Sequence, residues 1–185
     1  MVQVKKAGLD FSVVNVVATT KVGQPINLNA LNTRKNFFYD PDVYRCGYIK
    51  DQKMKGKVSI FPSGKLISIG TKKESDAIND LKHVAKLLER ANHIKHTNVG
   101  VKIQNIVAIA DLDKTIDLTR LATNVVSAVY EPEQFPGAII KLDELSNVTV
   151  LVFGSGKLVL LGLKNLKHLK QLSKHIIEIV GPYQR

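Results

Sequence analysis

Three short stretches of this chain return in the same order about ninety residues later, and no other feature limits its fold as much. Asn15-Val16-Val17-Ala18 returns as Asn105-Ile106-Val107-Ala108, Tyr39-Asp40-Pro41 as Tyr130-Glu131-Pro132, and Phe61-Pro62-Ser63-Gly64-Lys65 as Phe153-Gly154-Ser155-Gly156-Lys157. The offsets are 90, 91 and 92 residues, the drift that single-residue loop insertions produce. Two copies are too few for a solenoid. The reading is a pseudo-symmetric pair packed into one body, divided into residues 1–96 and 97–185.

Each copy shows the same succession of patterns. It opens on a β-rich run, Ser12 to Thr20 and Lys102 to Ala110. A short helix follows. Asp117 is placed to cap it, with Leu118, Leu121, Ala122 and Val125 as the apolar face, and Asn27, Leu28 and Leu31 hold the matching places. Short strands come next: Gly47 to Lys50 and Val58 to Phe61, then Ala138 to Leu142 and Val148 to Phe153. Ser63-Gly64 and Ser155-Gly156 read as two-residue hairpin turns into the returning strands, Lys65 to Ile69 and Lys157 to Leu161. A longer helix closes each copy. Its stripe is Ala77, Ile78, Leu81, Val84, Ala85 and Leu88 in one, and Leu166, Leu169, Leu172, Ile176 and Val180 in the other. Consecutive strands with few helices argue an α+β fold, an antiparallel sheet with helices on one side.

The strands are apolar on both faces. Ile106 and Ala108 face one way, while Ile103, Asn105, Val107 and Ile109 face the other; Thr149, Leu151 and Phe153 share a side, as do Val159 and Leu161. Helices cover only one face, so a large apolar face remains, and such a face marks a binding surface. A partner chain or the other repeat could cover it. Its rim carries Lys50, Lys65, Lys141 and Lys157, and an apolar floor with a basic rim suits the DNA minor groove. The net charge of +11 agrees, since lysine and arginine release counterions from a polyanion. Residues 1–90 hold 16 Lys/Arg against 8 Asp/Glu, and residues 91–185 hold 11 against 8, so the first half is the more basic. No apolar run is long enough for a membrane span. Met1 to Ala7 shows no secretory signature, and the single Cys46 excludes an internal disulfide and suits a reducing compartment.

Gln104-Asn105-Ile106-Val107-Ala108, Tyr130-Glu131-Pro132-Glu133-Gln134-Phe135-Pro136-Gly137 and Val152-Phe153-Gly154-Ser155-Gly156-Lys157 resemble the second repeat of the TATA-box-binding protein family, in its archaeal form. The resemblance runs from about Phe11 to Val180 and is weaker in the first copy. It implies a saddle, a curved antiparallel sheet of about ten strands with four helices on the convex face. It implies a general transcription initiation factor that binds an A·T-rich promoter element in the minor groove and bends it. The partners it implies are double-stranded DNA, the B-type general transcription factor and, indirectly, RNA polymerase. No cofactor, metal, membrane or small-molecule substrate is expected. The location implied is the cytoplasm, at the nucleoid, or the nucleus if the chain is eukaryotic.

Residue by residue, the resemblance makes Phe135 and Phe153 wedges between base steps. Phe61 matches in the first repeat, where the fourth position holds Tyr44. Asn15 and Asn105 match the asparagines that donate to minor-groove acceptors, a chemistry suited to A·T pairs. Val17, Ile67, Val107, Leu151 and Val159 match the apolar floor. Ile69 and Leu161 stand where the family usually has threonine, which removes two hydroxyls from the floor. Lys50 and Lys141 fall at a phosphate-binding arginine, and Ser63, Lys65, Ser155 and Lys157 match the remaining phosphate contacts. Glu131 and Glu133 lie in the stirrup that meets the B-type factor. The departures keep two other readings open: a diverged paralogue with altered DNA preference acting mainly through protein contacts, and a basic RNA-binding module.

Enzymatic signatures fail on inspection. Gly154-Ser155-Gly156-Lys157 resembles part of a phosphate loop, but Leu151 stands where a glycine belongs and a strand follows instead of a helix. His93 and His96 have no cysteine or acidic cluster beside them. His168 and His175 read as solvated helix-face residues, Cys46 has no partner set for catalysis, and Asp111, Asp113 and Asp117 read as a turn and a helix entry.

Overall fold

A computed structural model describes residues 9–32, 35–96, 98–142, 148–167 and 169–185, so Met1 to Ala7 and His168 lie outside the described residues. Its contacts group into two units, Asn15–Gln104 and Asn105–Arg185 with the chain ahead of Asn15. The first unit is built from β1 (Ser12–Lys21), α1 (Leu28–Leu31), β2 (Phe37–Phe38), β3 (Gly47–Ile49), β4 (Lys57–Ile60), β5 (Lys65–Thr71) and α2 (Glu74–Arg90). The second repeats the order with β6 (Lys102–Asp111), α3 (Leu118–Asn124), β7 (Ala128–Val129), β8 (Gly137–Leu142), β9 (Val148–Phe153), β10 (Lys157–Leu163) and α4 (Leu169–Val180). Strand order is β2-β3-β4-β5-β1 in one unit and β6-β10-β9-β8-β7 in the other, and the pairs within each are antiparallel. The α+β class, the repeat and the four helices follow the sequence expectation. Among the described residues no helix is long and apolar enough to cross a membrane.

Local chemistry sets the helix starts. Asn27 Oδ1 accepts the N–H groups of Asn29 and Ala30 at 3.1 and 3.4 Å, and Asp117 Oδ1 accepts that of Arg120 at 3.1 Å. Each cap satisfies amides that have no partner within the helix. The α2 stripe buries Ala77, Leu81, Val84, Ala85 and Leu88. With Leu31, Phe37, Ile49 and Ile60 its residues line a void of only about 10 Å³, so this side of the sheet is closely packed. In α4, Leu169, Leu172, Ile176 and Val180 are buried, and Ser173 Oγ accepts the Leu9 N–H at 2.7 Å. The C-terminal residues fasten α3: Arg185 pairs with the Asp117 carboxylate, and the Asp117 N–H donates to Tyr183 O at 3.0 Å. The Arg120 N–H and then the Arg185 guanidinium hold the Asp117 carboxyl below its ordinary pKa.

The two hairpin turns differ from the two-residue form. Phe61 N–H donates to Lys65 O at 2.9 Å and Gly64 N–H to Phe61 O at 3.0 Å, so the loop holds three residues, Pro62 to Gly64. Gly156 N–H bonds Phe153 O in the same way at 2.9 Å. A two-residue Ser63-Gly64 turn would set Pro62 opposite Lys65 as the last ladder pair, where its backbone N–H would have to donate, and proline has none. The left-handed residue comes last, Gly64 at φ 79° and Gly156 at φ 90°. A Cβ at either glycine would lie 2.2 Å from a backbone oxygen, of Gln24 or of Lys114.

Asp80 interrupts the apolar side of α2 yet is only 2% exposed. Its carboxylate accepts the N–H groups of Lys55 at 3.1 Å and Gly56 at 2.7 Å, which ties the loop before β4 to the helix. Close by, Asp51 meets His83 at 2.7 Å. Burial pushes the Asp51 carboxyl up, but the bonds from His83 and the Lys53 N–H outweigh it and hold the pKa below its ordinary value. Asp80→Ala strands two amides, and charge-assisted bonds contribute about 1.5–3 kcal/mol each. Chemical denaturation is expected to show a loss of about 2–4 kcal/mol. A loss below about 0.5 kcal/mol, typical of surface changes, would mean the tether is dispensable.

Candidate nucleic-acid interface

Period-two alternation divides each sheet into a sealed face and an open one. In β1, Val16 and Ala18 are buried, while Asn15, Val17 and Thr19 stay partly exposed. In β6, Ile106, Ala108 and Ala110 are buried, and Asn105, Val107 and Ile109 are not. Leu66 and Ser68 are buried beside half-exposed Ile67 and Ile69, as Leu158 and Leu160 are beside Val159 and Leu161. Cross-strand register assembles the open faces into rows. In the first unit the row is Thr19, Ile67, Ser59, Tyr48 and Phe38. In the second it is Ile109, Val159, Leu151, Ile139 and Val129. All nine sequence-marked floor residues, Asn15, Val17, Ile67, Ile69, Asn105, Val107, Leu151, Val159 and Leu161, are partly exposed on these open faces.

Each floor is interrupted by one built polar site. Strand pairing slips between Val16 and Ala18, and again between Leu160 and Leu163. At each slip a glycine adopts left-handed backbone, Gly70 at φ 85° and Gly162 at φ 92°. The Gly70 N–H donates to Asn15 Oδ1 at 2.9 Å, and the Gly162 N–H to Asn105 Oδ1 at 2.8 Å. Because the partner is a donor, the accepting atom is the amide oxygen. Each Asn keeps its Nδ2 group, with two protons, as a donor on the open face. The residue before each glycine, Ile69 or Leu161, brings no hydroxyl, but directly across the ladder stand Lys57 and Thr149.

The aromatic corners differ between units. Phe135 and Phe153 meet edge to face with centroids 5.7 Å apart. Gly137 makes room for them, since a Cβ there would come within 3.0 Å of the Phe135 ring. In the first unit Phe61 is half-buried, while Tyr44 is 64% exposed and has no ring neighbour among the described aromatic contacts. The loops leading to these corners fold alike. Tyr44 N–H bonds Asp40 O at 3.0 Å, and Phe135 N–H bonds Glu131 O at 2.9 Å. Glu131 and Glu133 are exposed on the second loop.

The cations occupy the rim. Lys50, Lys65, Lys141 and Lys157 are exposed, as are Ser63 and Ser155. Lys65 stands opposite Lys21, whereas Lys157 stands opposite Asp111. Like charges across a ladder repel, and Asp111 offsets Lys157 while nothing in the pair offsets Lys65, so the first unit carries the stronger positive field at this corner. Ile109, Phe153, Ser155, Lys157 and Val159 share a groove of about 500 Å³ in the second unit.

Three further residues lie on the first unit's open face and are not marked by the repeat. Phe38 and Tyr48 stack with centroids 5.2 Å apart, and Lys57 Nζ lies 4.6 Å from the Tyr48 ring centroid. Their second-unit counterparts in the register are Val129, Ile139 and Thr149, so comparing the copies passes over them. Two- and three-residue strands such as β2 and β3 also carry too little periodicity to be read.

Among the described residues no group of three or more His, Cys, Asp or Glu is placed to hold a metal. His96 pairs with Glu89 at 2.7 Å, and Cys46 is buried.

The model of the family described as "Transcription factor TFIID (or TATA-binding protein, TBP)" matches residues 10–91 and 100–183. The TATA-box-binding protein of Methanocaldococcus jannaschii is 36% identical over 176 residues, 95% of this chain and 96% of that one. The TATA-box-binding protein of Archaeoglobus fulgidus is 35% identical over 167 residues, 89% of this chain and 91% of its own. A solved structure of the Methanococcus jannaschii protein superposes with a TM-score of 0.81 at 36% identity, covering 93% of this chain and 98% of that one.

Proposed function

The chain belongs to the TATA-binding protein family of transcription factors, and on that premise we propose that it is a general initiation factor binding an A·T-rich promoter element through the open faces of its two units. The observation that carries this reading is the pair of asparagines at the strand slips. Each amide oxygen is held by a glycine N–H, and each amide nitrogen is left to donate from an otherwise apolar floor. The minor groove of A·T pairs offers acceptors only, adenine N3 and thymine O2. Two donors on an apolar surface suit that pattern and reject the exocyclic amine of guanine. Val17, Ile67, Val107, Leu151 and Val159 would lie against the sugars. Tyr44, Phe61, Phe135 and Phe153 would wedge into base steps and bend the duplex, which is how members of this family act. Lys50, Lys65, Lys141 and Lys157, with Ser63 and Ser155, would take phosphates. Glu131 and Glu133 would present an acidic loop to the B-type general transcription factor, and through it to RNA polymerase.

The second reading is a diverged paralogue with altered DNA preference. Ile69 and Leu161, which lack hydroxyls, and the cation at Lys57 favour it. Selection from a pool of random duplexes separates the two: an A·T-rich consensus is expected, and no enrichment favours the paralogue. Structured RNA competing as well as duplex DNA would favour an RNA-binding module instead.

A further inference from the structure

The register row that crosses the second unit's open face is apolar from Ile109 to Val129. The next row is not. It runs from Leu161 through Thr149 to Lys141. Thr149 shares its side of β9 with Leu151 and Phe153 and is half-exposed there, while Val148 and Val150 on either side are buried. One end of this row adjoins Gly162, whose N–H fixes the Asn105 amide. The other end is the exposed rim cation Lys141. The Thr149 hydroxyl therefore stands between the floor's amide donor and the rim's ammonium. In the first unit the same place, opposite the residue before the strand slip, holds Lys57, so the hydroxyl belongs to the second unit alone.

A threonine hydroxyl has one proton to donate and two lone pairs to accept with. Lys141 beside it can only donate, and Leu161 opposite can do neither. Neither cross-strand neighbour can take the hydroxyl proton. An apolar face laid against a duplex excludes water, and a polar group covered in this way must find a partner or weaken the complex. The edges of A·T pairs offer acceptors all along the minor groove.

We infer that the Thr149 hydroxyl donates to a base acceptor in the minor groove, as a second polar contact of the second unit's floor, separate from that of Asn105. This rests on the DNA-binding reading above. Strand order β6-β10-β9 places Thr149 two strands from Asn105, about 10 Å across the sheet. The minor groove is only about 6 Å wide, so the two groups meet different base pairs.

The test uses the full chain and an A·T-rich duplex modified at one base at a time. Adenine is replaced by 3-deazaadenine, which lacks the N3 acceptor, and thymine by 2-thiothymine, whose acceptor is weaker. Thr149→Val keeps the branched shape without the hydroxyl, and Thr149→Ser keeps the hydroxyl. Valine suits strand positions, so denaturation curves are expected to show Thr149→Val as stable as wild type, which separates a lost contact from a lost fold. Thr149→Val is expected to weaken binding to the unmodified duplex by about fivefold, and Thr149→Ser by about twofold or less. At one modified position the wild type is expected to lose about fivefold while Thr149→Val loses nothing further, the coupling of two groups that share a bond. Thr149→Val binding within about twofold of wild type, or equal losses in both proteins at every modified position, overturns this inference alone. Failure of the wild type to bind any A·T-rich duplex overturns both this inference and the reading it rests on.

Discussion

Phe153→Ala is expected to weaken binding to an A·T-rich duplex by about thirtyfold or more and to remove most of the bend, because it deletes one of the four proposed wedges. The side chain ends β9, touches Phe135 edge to face and lines the groove that also holds Lys157. Lys72 offers the control. It is exposed past the end of β5, away from the open row, and Lys72→Ala is expected to change affinity by about twofold or less. Phe153 is half-buried, so its truncation also costs stability. The comparison is therefore made by fluorescence energy transfer across an end-labelled duplex, at a temperature where denaturation curves show both variants folded. Equal effects from the two substitutions would mean that the DNA surface lies elsewhere.

Asn105→Asp is the sharper chemical probe. Aspartate keeps an oxygen to accept the Gly162 N–H, now at 2.8 Å, so the strand slip survives. What it loses is the amide donor, and it places a carboxylate against groove acceptors and the negative potential of the duplex. Loss of the hydrogen bond with an added buried like charge is expected to cost about 2–4 kcal/mol of binding, a thirtyfold effect or more. Stability at neutral pH should change by less than about 1 kcal/mol. Asn105→Ala would instead strand the glycine amide and lower stability as well as binding. If Asn105→Asp bound an A·T-rich duplex as tightly as wild type, the asparagine would be a structural staple at the slip and no more.

Much of this architecture is legible in the residues themselves. Long strands with apolar residues on both sides, capped short helices and the ninety-residue recurrence identify the class and the order of elements. The open face is readable because β6, β9 and β10 carry apolar residues on both sides while helices can cover only one. Local pattern is a poorer guide where a contact is made by tertiary neighbours. Asp80 belongs by its type to the solvated side of α2, and only the two amides at Lys55 and Gly56 explain its burial. Ser-Gly pairs suggest two-residue turns, but each glycine takes the left-handed place that ends a three-residue loop. The aromatic stack escapes notice because Phe38 and Tyr48 stand in strands of two and three residues and break the repeat instead of obeying it. The asparagines are visible as a recurring position, yet the orientation of their amides depends on a slip in strand pairing that no sequence period records.

The two halves are asymmetric. The first unit has the doubled lysine at Lys21 and Lys65, a lone exposed Tyr44 and a cation among aromatic rings. The second has a packed phenylalanine pair and an aliphatic row, with Asp111 opposite Lys157. If the two faces hold DNA as proposed, differences of this size would make them grip the two ends of a promoter element unequally, which would set the orientation of the protein on DNA.

On the proposed function, these open faces grip and bend A·T-rich duplex DNA from the minor groove. Titrating the protein into an end-labelled A·T-rich duplex, with energy transfer between the ends as the readout, tests it most directly. The expected result is a saturable rise in transfer as the ends approach, suppressed by a small-molecule ligand that fills the A·T minor groove. Saturable binding with no change in end-to-end distance, or binding indifferent to that ligand, would contradict it.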